Sequence, residues 1–382
     1  MIGPSLSDQF RHAPLEFLER EFAASGDVVR TGERELCLGN PFAARSVLHN
    51  ENNLYRDHSD FFHTRRGLFG PRASQLKIAR HGRRLLRHFL RMQANDAMAS
   101  FVDSNLPARS EWPDSGNRLV YGYLLPVLVS KDNPPALRRL LDDIVERAVL
   151  ANARSRQAAW RRMILQFRTT WLLSSAIETR RARAGSQPAD LLDVIACSAQ
   201  PGQSADELAE VFLSFLFAIA GSLGFVLAWS VYLLGTHRDC EAPAQWVVQE
   251  ALRLWPVSWM LARHPARDHE VSGVRVGMDD VVVACPYLVH RNPTYWSNPR
   301  EFRPDRWAAR ESWRNPAFIP FGYGPHRCVA AELATRLVSE FLAAITKSNR
   351  LSIVAHDTRP SIAAAMAPPP FTLTLERHPS EH

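Results

Sequence analysis

Through the first half of the chain apolar residues recur every three to four positions, and beyond residue 250 that period gives way to short alternating runs. Near the start, Val28-Val29-Arg30 and Leu36-Cys37-Leu38 predict a hairpin, and Pro41 to Leu48 predicts a helix. From Lys77 to about Thr179 the period predicts successive helices, broken at Pro107, Pro113 and the Asn133-Pro134-Pro135 turn, where proline removes an amide and restricts its neighbour. Ser204-Ala205-Asp206-Glu207 has the form of a capping box, in which hydroxyl and carboxylate satisfy the first amides of a helix. The helix it opens runs without a charge from Val211 to Thr236.

That stretch is formally long enough for a membrane span of about 20 residues. Ser214, Gly221, Ser222, Gly224 and Ser230 interrupt it, and both flanks continue as ordinary charged helices. We therefore read it as a core helix over about 204–236, apolar all round because it is buried all round. Glycine inside a helix costs about 1 kcal/mol relative to alanine, so Gly221 and Gly224 mark either close helix packing or the approach of something bulky to the backbone. Downstream, Val271 to Val276 and Val281 to Ala284 are strand-like, with turns at Ser272-Gly273 and Gly277. A coil rich in proline and aromatic residues runs from Pro293 to Pro320, a length that is unusual in a domain unless the segment is functional. A final helix after Cys328 and a strand at Thr372-Leu373-Thr374 complete a fold that is mainly α with small β-sheets.

Composition adds limits. With 382 residues, 46% hydrophobic and 22% charged, the chain is no disordered tail, collagen-like repeat or small disulfide scaffold. The formal charge of +7 is carried almost wholly by arginine, since Lys77, Lys131 and Lys347 are the only lysines. Arginines cluster at Arg80 to Arg91, Arg154 to Arg162 and Arg180 to Arg183. No aromatic interleaving or helix-turn-helix pattern accompanies them, so nucleic acid is not the expected partner; a solvated face or a docking face for an acidic protein is. The five cysteines are scattered, with no CxxC pair, which suits a reducing cytoplasm and mostly buried thiols. Met1 to Glu19 holds no basic region followed by an apolar run, so neither signal peptide nor membrane anchor is expected.

One cysteine stands out by its surroundings. Cys328 closes Phe321-Gly322-Tyr323-Gly324-Pro325-His326-Arg327-Cys328, a glycine-punctuated loop leading toward a helix. A thiol at a helix start, beside His326 and Arg327, is favoured as thiolate. It can then serve as nucleophile, as metal ligand or as a plain buried cysteine. Gly322 and Gly324 permit a tight bend that turns amides toward the sulfur, as an iron-bound thiolate requires, and no nearby Asn/Asp and His suggest a hydrolytic triad.

This loop resembles the haem-binding loop of the cytochrome P450 family, Phe-x-x-Gly-x-basic-x-Cys-x-Gly. Phe321, Gly324, His326 and Cys328 match, and Ala330 replaces the second glycine. Glu250-Ala251-Leu252-Arg253 resembles the family's E-x-x-R, whose i, i+3 spacing puts carboxylate and guanidinium on one helix face. Phe302-Arg303-Pro304-Asp305-Arg306-Trp307 is similar to the segment whose arginine closes a triad with that pair, so Glu250, Arg253 and Arg306 are scaffold residues on this likeness. His290-Arg291-Asn292-Pro293 and Tyr295-Trp296-Ser297-Asn298-Pro299 follow the family pattern too. Arg263 stands where the family pairs an arginine with a haem propionate, and on the Arg80 to Arg91 helix two registers fit a second contact, one using His81 and one Arg83.

The resemblance departs at the central helix. The family carries Ala/Gly-Gly-x-acid-Thr there, and its acid and hydroxyl help deliver protons to dioxygen. Here the match is Ala220-Gly221-Ser222-Leu223-Gly224, with Leu223 at the acid position and Gly224 at the threonine position. Either Ser222, water or a polar group of the substrate replaces the relay, or the protein uses peroxide or has become a haem-binding partner of another enzyme. The resemblance thus implies one cytochrome P450 domain over 1–382, haem b held by Cys328, and a cytoplasmic monomer. It implies hydroxylation, ring closure or bond coupling on a small natural-product substrate, free or carrier-bound, with electrons from a ferredoxin and its ferredoxin reductase. Ala220 to Gly224, Val257 to Leu261 and the turn near Ala365-Met366 are the expected substrate contacts, with Trp259 and Met260 making the pocket apolar.

Overall fold

The expected hairpin forms between Val28–Gly32 and Glu35–Leu38, with Val29 opposite Cys37. It belongs to a four-stranded sheet because Val281–Ala284, a run of β-branched residues buried from Val282 on, pairs in parallel with Glu35–Leu38, and Leu261–Arg263 adds an antiparallel edge. The computed structural model describes residues 5–59, 61–150, 159–182, 188–362 and 365–377, so Arg154, Arg156 and Arg183 of the expected arginine clusters lie outside the described residues.

This sheet lies in the first of two compact units, made of 1–58, 245–328 and 363–366. The helix Pro41–His49 starts where expected, with the Asn40 side chain accepting from the Phe42 and Ala43 amides. The strand-like run at 271–276 is a separate hairpin, His269–Val271 with Val274–Val276, turning at Ser272 and Gly273 in the left-handed region. The long coil is not bare: Pro304–Ala308 and Arg310–Arg314 make short helical turns, and Trp296, Trp307 and Ile319 bury it in a core with Ala44 and Leu48.

The second unit, 59–244, 329–362 and 367–382, is largely helical. Its first long helix, Arg72–Met92, begins one turn before the apolar period shows it, and Asp114–Leu128 carries Pro126 near its end without breaking. Among the strands the pattern does not predict are Arg109–Trp112 and Asn349–Ala355, which flank Phe371–Arg377 in a three-stranded sheet.

The central helix differs from expectation in an informative way. Ser204 and Glu207 form the reciprocal capping box. From there Ala205–Leu216 is α-helical, Phe217–Leu223 widens into a π-helix, and Gly224–Thr236 resumes the α form. Ala205–Thr236 meets the length and hydropathy of a membrane span, yet the share of its most apolar window buried inside the protein is 56%, and Gly224–Thr236 has ten buried residues, in keeping with a core helix. The cysteines also differ from expectation. Only Cys37 and Cys285, on adjacent parts of the four-stranded sheet, are buried; Cys240 is partly exposed, and Cys197 and Cys328 are exposed.

Candidate functional site

The loop that ends at Cys328 is shaped by two residues in the left-handed region, Gly322 at φ 72° and Gly324 at φ 70°. Gly324 is required on a second count: a Cβ there would lie 2.8 Å from the Cα of His49 and 3.2 Å from the Leu48 carbonyl. Gly324–His326 form one 3-10 turn, in which the Arg327 amide donates to the Gly324 carbonyl. The Cys328 amide returns to the Phe321 carbonyl at 3.0 Å, which closes the loop on itself and leaves the cysteine exposed. His326 Nε2 lies 3.7 Å from Asp57 Oδ1. The helix after the loop, Ala331–Thr346, starts three residues beyond the cysteine, with Ala330 as its N-cap.

The coil before the loop is held by a buried charge cluster. Glu250 and Arg253, both fully buried, pair bidentately from one helix face, with Nε to Oε2 at 2.9 Å and Nη2 to Oε1 at 2.7 Å. Arg253 uses its remaining N–H groups on the carbonyls of His290, Pro299 and Glu301. Glu250 also accepts from Arg306 Nε at 3.1 Å, the Arg303 amide at 3.0 Å and Trp307 Nε1 at 2.9 Å. The expected triad is therefore assembled. Such a cluster is tolerable in the interior because every charge faces an opposite one and each hydrogen-bonding group is met.

His290 extends the cluster to the loop, a part the sequence did not reveal. Its Nδ1–H donates to the Arg253 carbonyl at 3.1 Å, and its Nε2 accepts from the Ile319 amide at 2.9 Å. That arrangement needs the neutral ring, and burial, with the positive Arg253 and Arg291 nearby, lowers its pKa to about 3. In the same unit, Arg263 is buried on the edge strand, with Nη1 on the Ala262 carbonyl. Trp259 is buried beside the Phe10 ring, and the Met366 amide donates to the Val257 carbonyl, so those two expected substrate segments do meet.

The second unit holds the other expected residues. Ala220, Gly221 and Gly224 are buried and Ser222 is half-buried, all in or next to the widened turn. Among the described residues a Cβ on Gly221 would meet Val149 at an ordinary 3.7 Å, whereas a Cβ on Gly224 would meet Asn117, 2.5 Å from Nδ2 and 2.7 Å from Cα. Close helix packing, one of the two readings left open for these glycines, thus accounts for Gly224. Asn117 Nδ2 donates to the Ala220 carbonyl at 2.5 Å and the Gly221 carbonyl at 3.2 Å. No local pattern marks Asn117, because its partners lie more than a hundred residues away in sequence. On the helix Arg72–Met92, Arg83 reaches Glu332 at 3.5 Å while its Nε is buried with no partner among the described residues. His81 is partly buried, and desolvation with the Arg84 and Lys77 charges lowers its pKa.

Comparison with known proteins agrees with this geometry. The Cytochrome P450 family profile matches residues 243–375. Cytochrome P450 139 of Mycobacterium tuberculosis is 30% identical over 66% of this chain and 64% of its own. Cyclooctat-9-en-7-ol 5-monooxygenase of Streptomyces melanosporofaciens is 29% identical over 45% and 44%. A mutant of P450 EryK in complex with erythromycin B shares the fold, with a TM-score of 0.69 at 19% identity and 100% of both chains covered. Residues 243–375 match the cytochrome P450 family, and the chain has that family's fold. Its matches span between 31% and 64% of the length of the curated relatives.

The cofactor of that family is haem b on a cysteine thiolate, and the donor set here suits it. In the first unit the exposed cysteine of a glycine-bent loop suits a thiolate ligand; in the second, considered by itself, the buried Arg83 Nε, with no partner among the described residues, suits a carboxylate.

Proposed function

We propose that this chain is a cytoplasmic haem-thiolate oxidase acting on a small organic molecule of natural-product type, by hydroxylation or oxidative ring closure. The observation that carries this reading is the Phe321–Cys328 loop, with two left-handed glycines, a Cys328 amide returned to Phe321 and an upstream anchor at His290. On the resemblance, the whole of 1–382 acts as one cytochrome P450 domain. Cys328 would take the iron, Arg263 one propionate and, of the two registers on Arg72–Met92, Arg83 the other, since its Nε is buried with no partner among the described residues. When bound, the thiolate-ligated haem supplies oxygen activation and removal of a hydrogen atom from a C–H bond.

The chain's own residues set the conditions. The glycine bend, closed by the Cys328 amide on the Phe321 carbonyl, sets the backbone from which the Cys328 side chain projects. Met260, half-buried, is the side chain of the 257–261 segment that offers apolar surface to a substrate, since Trp259 and Met366 are buried by the protein itself; this suits an apolar carbon skeleton such as the cyclooctat-9-en-7-ol named for one similar protein. With Leu223 and Gly224 in place of acid and threonine, a proton has to come through the Ser222 hydroxyl, an ordered water or a polar group of the substrate. Electrons would arrive from a ferredoxin with its reductase. Those same two substitutions favour a second reading, use of peroxide in place of dioxygen and electrons; turnover sustained by hydrogen peroxide with no electron donor would select it.

The test is spectroscopic. Reduced under carbon monoxide, the purified protein is expected to give the red-shifted band of a thiolate-ligated haem, and Cys328→Ser to lose it. A wild-type protein without porphyrin, or with the band of a nitrogen-ligated haem, ends this reading. Titration with terpenes, macrolides and carrier-bound acyl chains, watched through the same chromophore, then separates substrate classes.

A further inference from the structure

Resting on the haem-thiolate reading above, we propose that Asn117 is a positioning residue that stands in for the missing threonine. It keeps the central helix open at Ala220 to Gly224 and presents a buried amide oxygen to a proton-carrying water. Three observations within the helical unit converge on it. Its two amide hydrogens are both used on the central helix, at the Ala220 and Gly221 carbonyls, inside the segment where the α-helical ladder gives way to the π form. A carbonyl bonded sideways is drawn out of the helical ladder, and insertion of a side chain is a recognised cause of such a break.

The second observation is steric. The residue at the family's threonine position is glycine, and any side chain there would overlap Asn117, backbone included. Gly116, next to Asn117, is held to glycine first by the Trp112 ring, 2.5 Å from where its Cβ would be, and then by the Gly224 carbonyl at 3.2 Å. Glycine at 224 is thus what leaves room for the Asn117 side chain to reach the central helix. Third, Asn117 is fully buried and its Oδ1 has no partner among the described residues. A leucine would fill the same space without leaving a buried acceptor unmet, so packing alone does not account for an amide. A water donating to Oδ1 is the smallest group that satisfies it.

The test uses haem-loaded protein with Asn117→Leu and Asn117→Ser. Hydrogen exchange followed by mass spectrometry should show the amide of Gly224, now bonded to the Gly221 carbonyl, exchanging about tenfold more slowly in N117L, because the freed Ala220 carbonyl takes it up in α register. A space-filling role predicts the opposite, faster exchange around a damaged crossing. N117S keeps one donor and an acceptor and should fall between; it carries the test should N117L fail to fold. Supplied with electrons by a surrogate ferredoxin and its reductase, N117L should also release a larger share of them as hydrogen peroxide, two electrons and two protons per dioxygen. Unchanged or faster exchange near Gly224 in N117S, with unchanged peroxide release, overturns the proposal. A wild-type protein lacking the thiolate carbonyl band sinks the haem reading instead, so the two failures are distinct.

Discussion

At the scale of single residues, the buried pair Glu250 and Arg253 is legible in sequence because both partners sit three apart on one helix. What they do is not, because Arg253 directs its remaining N–H groups to carbonyls 37 to 48 residues downstream. A buried ion pair contributes little net stability, but it dictates which chain path can surround it. His290 is the step from that cluster to the loop, and it makes a pH prediction. Its folded pKa of about 3 lies below the usual value near 6.5, so between these values the folded protein binds fewer protons than the unfolded chain. Stability from this site is complete above pH 6.5 and drains away as pH falls toward 3. Urea midpoints of the wild type should therefore drop between pH 7 and pH 5, and His290→Gln should shrink that drop even though it lowers the midpoint at pH 7. An equal drop in both proteins would show that other groups govern the acid limb.

Among the elements, the loop and the central helix show how far pattern reading reaches. Gly322 and Gly324 read alike in sequence and have nearly the same φ, yet their surroundings differ. Among the described residues a Cβ on Gly322 would meet Leu261 at an ordinary 3.8 Å, whereas one on Gly324 would meet the backbone of His49 and Leu48. Gly322→Ala should cost only the left-handed strain, about 1 kcal/mol, and leave haem content intact. Gly324→Ala has to push apart the loop and the helix Pro41–His49, and should lose haem on purification and lower the melting temperature well beyond G322A. Equal melting points for the two would remove the steric argument. The helices were readable because their apolar period is local, and the capping box at Ser204 fixed the start of the central one. The π segment was not readable because its cause, Asn117, lies 103 residues before Ala220. Arg109–Trp112 and Asn349–Ala355 were hidden for a related reason: short strands take their identity from a partner, here Phe371–Arg377.

For the molecule as a whole, the family was legible because the haem loop, the E-x-x-R pair and the Pro-Asp-Arg segment recur with their spacing, while the acid-threonine pair that would have told more is absent. Net charge belongs to this scale as well. The excess of +7 is carried by arginine, and on the helix Arg72–Met92 the side chains of Arg80, Arg84 and Arg91 are exposed. An acidic electron-donor protein would be drawn to such a face from beyond contact distance, and salt would weaken that attraction over about 10 Å at 0.1 M ionic strength. Arg84→Glu with Arg91→Glu should then slow reduction by an acidic ferredoxin by roughly tenfold at low salt, and flatten the dependence of that rate on ionic strength. The carbonyl spectrum should stay as in the wild type, which separates docking from damage to the haem. Arg336, held by Glu340 at 2.7 Å on the helix Ala331–Thr346, serves as the control, and Arg336→Gln should leave rate and salt slope in place. A wild-type reduction rate that does not change with ionic strength would mean that the donor docks by shape and apolar contact, and the arginine face would then be a solvated one.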